Sequence, residues 1–214
     1  PALPANAGVM RPITVKIPEG SLLSAPFPAP VGGYTETILR MIDVIFSAAS
    51  GAAPERVVAN AYGTINALSI SGTRENGKPW VMFSFYGGGH GGSSEGDGLN
   101  HGNAPISTAT IPPLEILEAA YPVMFKQWAL RPDSAGAGAH RGGLGAVYEI
   151  EVLEGNGAKA FLFGERGRFA PQGVAGGGDA ALNVFSYQQD DGWHHPPMAS
   201  KMVGISLRQG QSVK

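Results

Sequence analysis

The chain has 214 residues, with 15 Lys and Arg against 17 Asp and Glu, so it carries no electrostatic bias toward nucleic acid. It has no cysteine, which excludes disulfides, thiolate metal sites and cysteine nucleophiles and fits a cytoplasmic location. Apolar residues make up 43% alongside 32 Gly and 17 Pro, the balance of a turn-rich globular chain; its apolar runs are too short and interrupted to span a bilayer, so no membrane partner is expected.

In chain order, residues 13–17 alternate as a strand. A helix is expected from Thr35, where Ile38, Met41, Ile42, Ile45, Phe46 and Ala49 recur at helical spacing as a core face. Glu36 falls in its first turn, and Gly51 suits the position just past its end. Strands are predicted over 67–71 and 80–86, joined by a tight Asn76-Gly77 turn. A short helix opens at Pro112-Pro113, runs through Leu114, Ile116 and Leu117, and ends at Tyr121-Pro122. Further strands are predicted over 124–130, 145–153, 159–163 and 203–207, with a second hairpin turn at Asn156-Gly157. The pattern predicts a β-rich α+β fold with glycine-rich loops and few helices.

Two nucleotide-like motifs fail on context. Gly72 to Lys78 match the first seven positions of a P-loop, but Pro79 stands where a metal-binding hydroxyl is required, and a strand follows instead of a helix. Gly87-Gly88-Gly89-His90-Gly91-Gly92 fits G-x-G-x-x-G, yet no helix or βαβ unit follows it. His194-His195 lies beside Trp193 and Pro196-Pro197 and reads as an exposed loop. None of the common hydrolase or metalloprotease signatures is present.

The richest stretch runs over residues 130–145, where Arg131, Asp133, His140 and Arg141 stand on a backbone made mostly of glycine and alanine. Glycine at that density lets a backbone approach a neighbour closely, so the stretch reads as a rigid lip on the strand that follows or, more plainly, as a long connection with solvated charges. A second polar glycine loop over 86–103 carries His90, Glu95, Asp97, Asn100, His101 and Asn103. His90, Asp97 and His101 are donors of the kind Zn, Mn or Fe accept, but loop spacing fixes no coordination geometry, and hydrogen-bonding pins are the plainer reading. No metal site is assigned to this chain.

The order and spacing of several segments resemble the hydantoinase B/oxoprolinase family. They are Asn6 to Ile13, Gly87 to Gly92 with Asp97-Gly98, Leu117-Glu118 with Tyr121-Pro122, and Arg141-Gly142-Gly143-Leu144-Gly145. Pro18 to Ser21, Pro28 to Val31 and Pro54-Glu55-Arg56 extend the resemblance over nearly the whole chain. Family members are longer, so residues 1–214 are expected to form a single portion of a B-type subunit, without the family's N-terminal part and glycine-rich closing segment. Many members carry a histidine and a Met-Thr-Asn run after the Asp-Gly, where this chain has Asn100 to Asn103 followed by Ile106-Ser107-Thr108.

The resemblance implies an ATP-dependent complex that opens cyclic amides such as hydantoins and 5-oxoproline. The alternatives are an acetone or acetophenone type carboxylase joining bicarbonate to a ketone, and a non-catalytic scaffold docking the ATP-binding subunit. The implied partners are a hydantoinase-A-like subunit carrying ATP and Mg, the rest of the B-type subunit, and a small-molecule substrate. A divalent metal such as Mn, Zn or Fe is implied in the N-terminal part. Both reactions develop anionic oxygen, which arginines and glycine-loop amides stabilise. Arg131 and Arg141 suit that role, with Asp133 orienting one of them through a bidentate pair, or bracing the loop without touching substrate. His90, Asp97, His101, Asn103 and His140 are the candidate substrate-binding residues.

Overall fold

The computed structural model describes residues 6–63, 65–107, 110–154 and 157–214. Its frame is a pair of antiparallel sheets. Strands β1 (Asn66–Thr73), β2 (Pro79–Tyr86), β5 (Ala158–Phe163) and β8 (Lys201–Leu207) form the first, in the order β2-β1-β5-β8. Strands β3 (Val123–Leu130), β4 (Ala146–Val152), β6 (Tyr187–Gln189), β7 (Gly192–His194) and β9 (Ser212–Val213) form the second, in the order β3-β4-β9-β6-β7.

Alternation decides which side chains meet between the sheets. In β2, Trp80, Met82, Ser84 and Tyr86 are buried while Val81, Phe83 and Phe85 are exposed. The inward set joins Leu68, Ile70, Ala160, Leu162, Ile205 and Leu207 from its own sheet and Val123, Ile150, Val152 and Val213 from the other, in one apolar core. At roughly 25 cal/mol per Å² of apolar surface removed from water, each fully buried Ile, Leu or Val contributes about 1.5–3 kcal/mol.

Helix α1 (Tyr34–Ala49) forms where the spacing predicts it, but its apolar face is not core. Only Leu39 is buried, and Ile38, Val44 and Ile45 are exposed. Polar contacts hold the helix instead. Asp43 takes Arg40 at 2.6 Å and Arg166 at 2.5 Å, Arg40 lies 3.2 Å from Glu165, and Ser47 donates to Asn60. Gly51 does not adopt a left-handed cap; Ser50 ends the helix with ordinary helical dihedrals, and the left-handed residue is Gly33 at the start. Helix α2 (Leu114–Ala120) starts after Pro113 and stops at Tyr121, where the prolines place it.

Three further expectations change. Residues 13–17 form no strand and stay exposed, because no neighbouring strand supplies the ladder that an extended segment needs. The Asn76-Gly77 hairpin exists, but only Gly77 has positive φ, at 79°; the Arg74 amide bonds back to the Lys78 carbonyl, so the loop is longer than two residues. Strands β4 and β5 do not pair with each other and belong to different sheets. The Asn156 half of the expected Asn156-Gly157 turn, with Pro1 to Ala5 and Thr108, lies outside the described residues. No helix among the described residues is long and apolar enough to cross a membrane.

Candidate functional site

The two glycine loops found in the sequence pack against each other over the ends of the sheets, and their backbones are stitched together. Gly143 N–H donates to His90 O (2.8 Å), Gly98 N–H to Arg141 O (2.8 Å), and His101 N–H to Leu144 O (2.8 Å). Two side chains add to the seam: Asn100 Oδ1 accepts from Leu144 N–H at 2.8 Å, and Asp97 Oδ1 accepts from Arg141 N–H at 3.0 Å. A side chain could not replace hydrogen at several positions along it. A Cβ on Gly89 or Gly143 would overlap the opposing carbonyl, and one on Gly92 would stand 2.7 Å from His140 O. The 130–145 stretch is therefore a fixed lip ahead of β4. Ser134 locks its base by donating to Arg131 O (2.7 Å) and accepting from Gly145 N–H (2.9 Å).

A third glycine loop, over 171–183, completes the arrangement. Gly178 N–H donates to Ala137 O (2.7 Å) and Ala181 N–H to Ser134 O (3.0 Å), while Asn60 N–H donates to Gln172 O (3.1 Å). Between the three loops and the 54–62 segment opens a cleft of about 370 Å³. Its wall includes His90, Arg131 and His140 of the candidate residues, together with Tyr62, Asn183 and Arg166, which the sequence reading missed. The Gly176-Gly177-Gly178 run was the signal for this loop; its glycine density matches that of residues 130–145. No short motif marks Tyr62 or Arg166.

Arg131 donates from Nη1 to the Leu182 carbonyl at 2.7 Å, so its guanidinium bridges the 130–145 and 171–183 loops and keeps further N–H groups beside the cleft. Asp133 does not orient it. Asp133 is exposed, has φ of 56° and forms no ion pair among the described residues. The carboxylate that meets Arg141 is Asp97, from the other loop, with Oδ2 3.4 Å from Nε. Arg141 also donates to Asn100 Oδ1 at 3.5 Å, and His140 Nδ1 lies 3.8 Å from Asp97 Oδ1. This half-exposed cluster sits on the rim of the cleft.

The two histidines of the 86–103 loop make separate contacts. His90 Nε2 lies 2.6 Å from the Asn103 carbonyl oxygen, which only accepts, so Nε2 carries the proton and Nδ1 is the ring's acceptor. Tyr62 stacks on the ring with centroids 6.4 Å apart. Burial pushes the Tyr62 hydroxyl well above the usual phenol range, so it stays protonated. His101 sits behind the loop with φ of 50°, its Nε2 bonded to the Tyr148 hydroxyl and its ring edge-on to Trp128. Burial lowers its pKa and keeps it neutral. Asn103 pins the chain through Oδ1, which accepts from Ala104 N–H at 2.7 Å. His90, Asp97 and His101 thus turn toward three different partners, Asn103, Arg141 and Tyr148. No group of three or more His, Asp or Glu able to hold a metal occurs among the described residues.

His194 also differs from its expected exposed loop: it lies in β7, paired with Tyr187 of β6 and bonded to Asp191 at 2.6 Å.

The two sheets pack as a β-sandwich whose glycine-loop end carries the cleft. The chain belongs to the Hydantoinase B/oxoprolinase family, whose model matches residues 1–214. It is 25% identical over 211 residues to the B-type component of a putative D-/L-hydantoinase from Pseudomonas sp. (strain NS671), covering 99% of this chain and 35% of that protein. The crystal structure of the ATP-dependent caprolactamase from Pseudomonas jessenii superposes with a TM-score of 0.81 at 28% identity, over 99% of this chain and 38% of that one. A nucleotide-free acetone carboxylase structure shares the fold at a TM-score of 0.63 and 20% identity, over 79% of this chain and 27% of that one. The chain thus spans little more than a third of the length of the hydantoinase and caprolactamase polypeptides it matches.

Proposed function

We propose that these 214 residues form a single portion of the B-type subunit of an ATP-dependent, cytoplasmic complex that opens cyclic amides, and that the glycine-loop cleft receives the reacting group. The observation that carries the proposal is the lining of that cleft. Arg131 brings spare guanidinium donors to it, and the consecutive N–H groups of Ala137, Gly138, Ala139 and His140 on its lip have no acceptor among the described residues. Hydrolysing a lactam makes an anionic oxygen, and donors fixed beforehand by a stitched backbone stabilise that charge without reorganising. Removing one such donor elsewhere costs a factor on the order of 10²–10³ in kcat.

ATP and Mg, held on a hydantoinase-A-like partner, supply phosphoryl activation of the amide; any divalent metal belongs to polypeptide of the subunit outside this chain. Within the chain, Arg131 binds the anionic oxygen and His90 offers Nδ1 as a hydrogen-bond acceptor beside it. Arg141 is a positioning residue, because its side chain is already committed to Asp97 and Asn100 on the rim. Asp97, Asn103 and His101 hold the loops that present these groups, His140 borders the substrate, and Asp133 has no assigned role.

The test is an assay of the complete complex for ATP hydrolysis with hydantoins or 5-oxoproline, against a ketone plus bicarbonate. The proposal expects a ring-opened product formed in step with ATP hydrolysis. A carboxylated ketone as the sole product would replace it with the carboxylase alternative. Assembly without turnover on either set would leave the scaffold role.

A further inference from the structure

Arg166 stands in the wall of the functional cleft on a backbone that few side chains adopt. Its φ is 63°, a left-handed value that a non-glycine residue keeps only where its surroundings enforce it. Here they are a closed ion-pair web. Arg166 Nη2 reaches Asp43 Oδ2 at 2.5 Å, Arg40 Nη1 meets the same oxygen at 2.6 Å, Arg40 Nε lies 3.2 Å from Glu165, and Asp43 also accepts from the Ala61 N–H. Two guanidiniums thus face two carboxylates, and the web is neutral. The Arg166 side chain is 10% exposed, yet Nη2 is its only bonded nitrogen among the described residues. Nε is buried without a partner, which leaves Nη1 as the open, unbonded nitrogen. The cleft's other arginine borders the same strip of wall. Arg131 donates to the Leu182 carbonyl, and the next residue, Asn183, donates its N–H to the Arg166 carbonyl at 3.0 Å. Arg131 meets no carboxylate among the described residues, and the one carboxylate on the cleft lining, Glu55, is 64% exposed and beside Arg56.

We infer that Arg166 is a specificity-determining residue of the cleft: its free Nη1 donates to a second, uncharged oxygen on the ring whose reacting oxygen Arg131 binds. Asp43 is its positioning residue, so helix α1 shapes the site although none of its residues lines the cleft. Charge balance decides the class of acceptor. The unpaired charge of Arg131 suits an oxygen that becomes anionic. The charge of Arg166 is already offset by Asp43, and its remaining donor suits a neutral carbonyl better than a carboxylate. A guanidinium does both jobs because its fork presents donors in two directions, one toward Asp43 and one toward the cleft. The inference rests on the cyclic-amide reading of the site and adds to it a preference for rings that carry a second carbonyl.

The test is the ratio of kcat/KM for succinimide to that for 2-pyrrolidinone, rings that differ by a single carbonyl, measured with ATP on the complete complex. Arg166→Lys keeps a cation for Asp43, but its ammonium cannot serve Asp43 and the ring together. The ratio is expected to fall by about 10–100-fold, the loss of one hydrogen bond to a charged donor. Asp43→Asn combined with Arg166→Gln removes both buried charges at once, so no carboxylate is orphaned, and the same fall is expected. A ratio that stays within about twofold in either assembled variant overturns the inference, whatever happens to the separate rates. So does a fall seen only in the ratio of 5-oxoproline to 2-pyrrolidinone, because the acceptor would then be a carboxylate. An unaltered complex that opens no cyclic amide refutes the proposed function and the inference with it, and that outcome is read before any variant is compared.

Discussion

Gly92→Ala is expected to loosen the seam between the two glycine loops, and its effect follows from the local geometry. The added Cβ would stand 2.7 Å from the His140 carbonyl oxygen and 2.9 Å from that of Arg141, where ordinary contact begins at 3.4 Å. Both obstacles are backbone, so the loops must part by about 0.5 Å or more. That displacement strains the Gly143–His90 and Gly98–Arg141 bonds, each 2.8 Å, and the 3.0 Å Arg141–Asp97 contact. Losing one or two bonds worth about 0.5–1.5 kcal/mol each gives a loss of about 0.5–3 kcal/mol. For a chain of this size that lowers the unfolding midpoint by about 1–12 °C. Because the same seam positions the cleft, turnover of the complex is expected to fall by up to about 10²-fold. Thermal unfolding and steady-state kinetics read both effects. Gly96→Ala is the control, since its Cβ meets nothing within 4 Å and its φ is ordinary. If the two variants unfold and turn over alike, close backbone approach is not what the glycines provide.

Asp97→Asn keeps an acceptor for Arg141 N–H and is expected to change stability by less than about 1 kcal/mol, the range of an exposed ion pair; Asp97→Ala loses that acceptor as well and should unfold at a lower midpoint in the same melt. Asp43→Ala leaves Arg166, whose side chain is 10% exposed, without its carboxylate, so a loss of about 3 kcal/mol is expected in denaturant titration. His101 has a depressed pKa in the fold, so the unfolded chain binds the extra proton below its own value of 6.5. Stability contributed by neutral His101 is therefore fully present above that value and is lost as pH falls through the folded pKa. A series of unfolding midpoints from pH 7.5 to pH 5 should decline less steeply in His101→Gln.

Where the sequence imposes a period over six or more residues, the elements could be read from it. The alternation over 80–86 and 146–152 becomes β2 and β4, and the prolines at 112–113 and 122 bracket α2. Strands β6, β7 and β9 span three, three and two residues, too few for any period to show. In α1 the helical stripe is real, but periodicity reports which residues share a face and not what covers it; here Arg40, Asp43 and Ser47 make the attachments. The two glycine loops stand out in the sequence because their density of glycine and charge is local. Their partnership does not. Asp97 and Arg141 are 44 residues apart, whereas Asp133 is the carboxylate near both arginines in sequence, so proximity along the chain pointed to the wrong partner.

Turnover of the complete complex carrying Arg131→Ala tests the central claim, that the cleft wall stabilises the reacting oxygen. With assembly intact, kcat for ring opening is expected to fall by a factor on the order of 10²–10³ while KM changes little, because the interaction strengthens in the transition state. An assembled complex whose kcat and KM both match the unaltered protein would contradict the account.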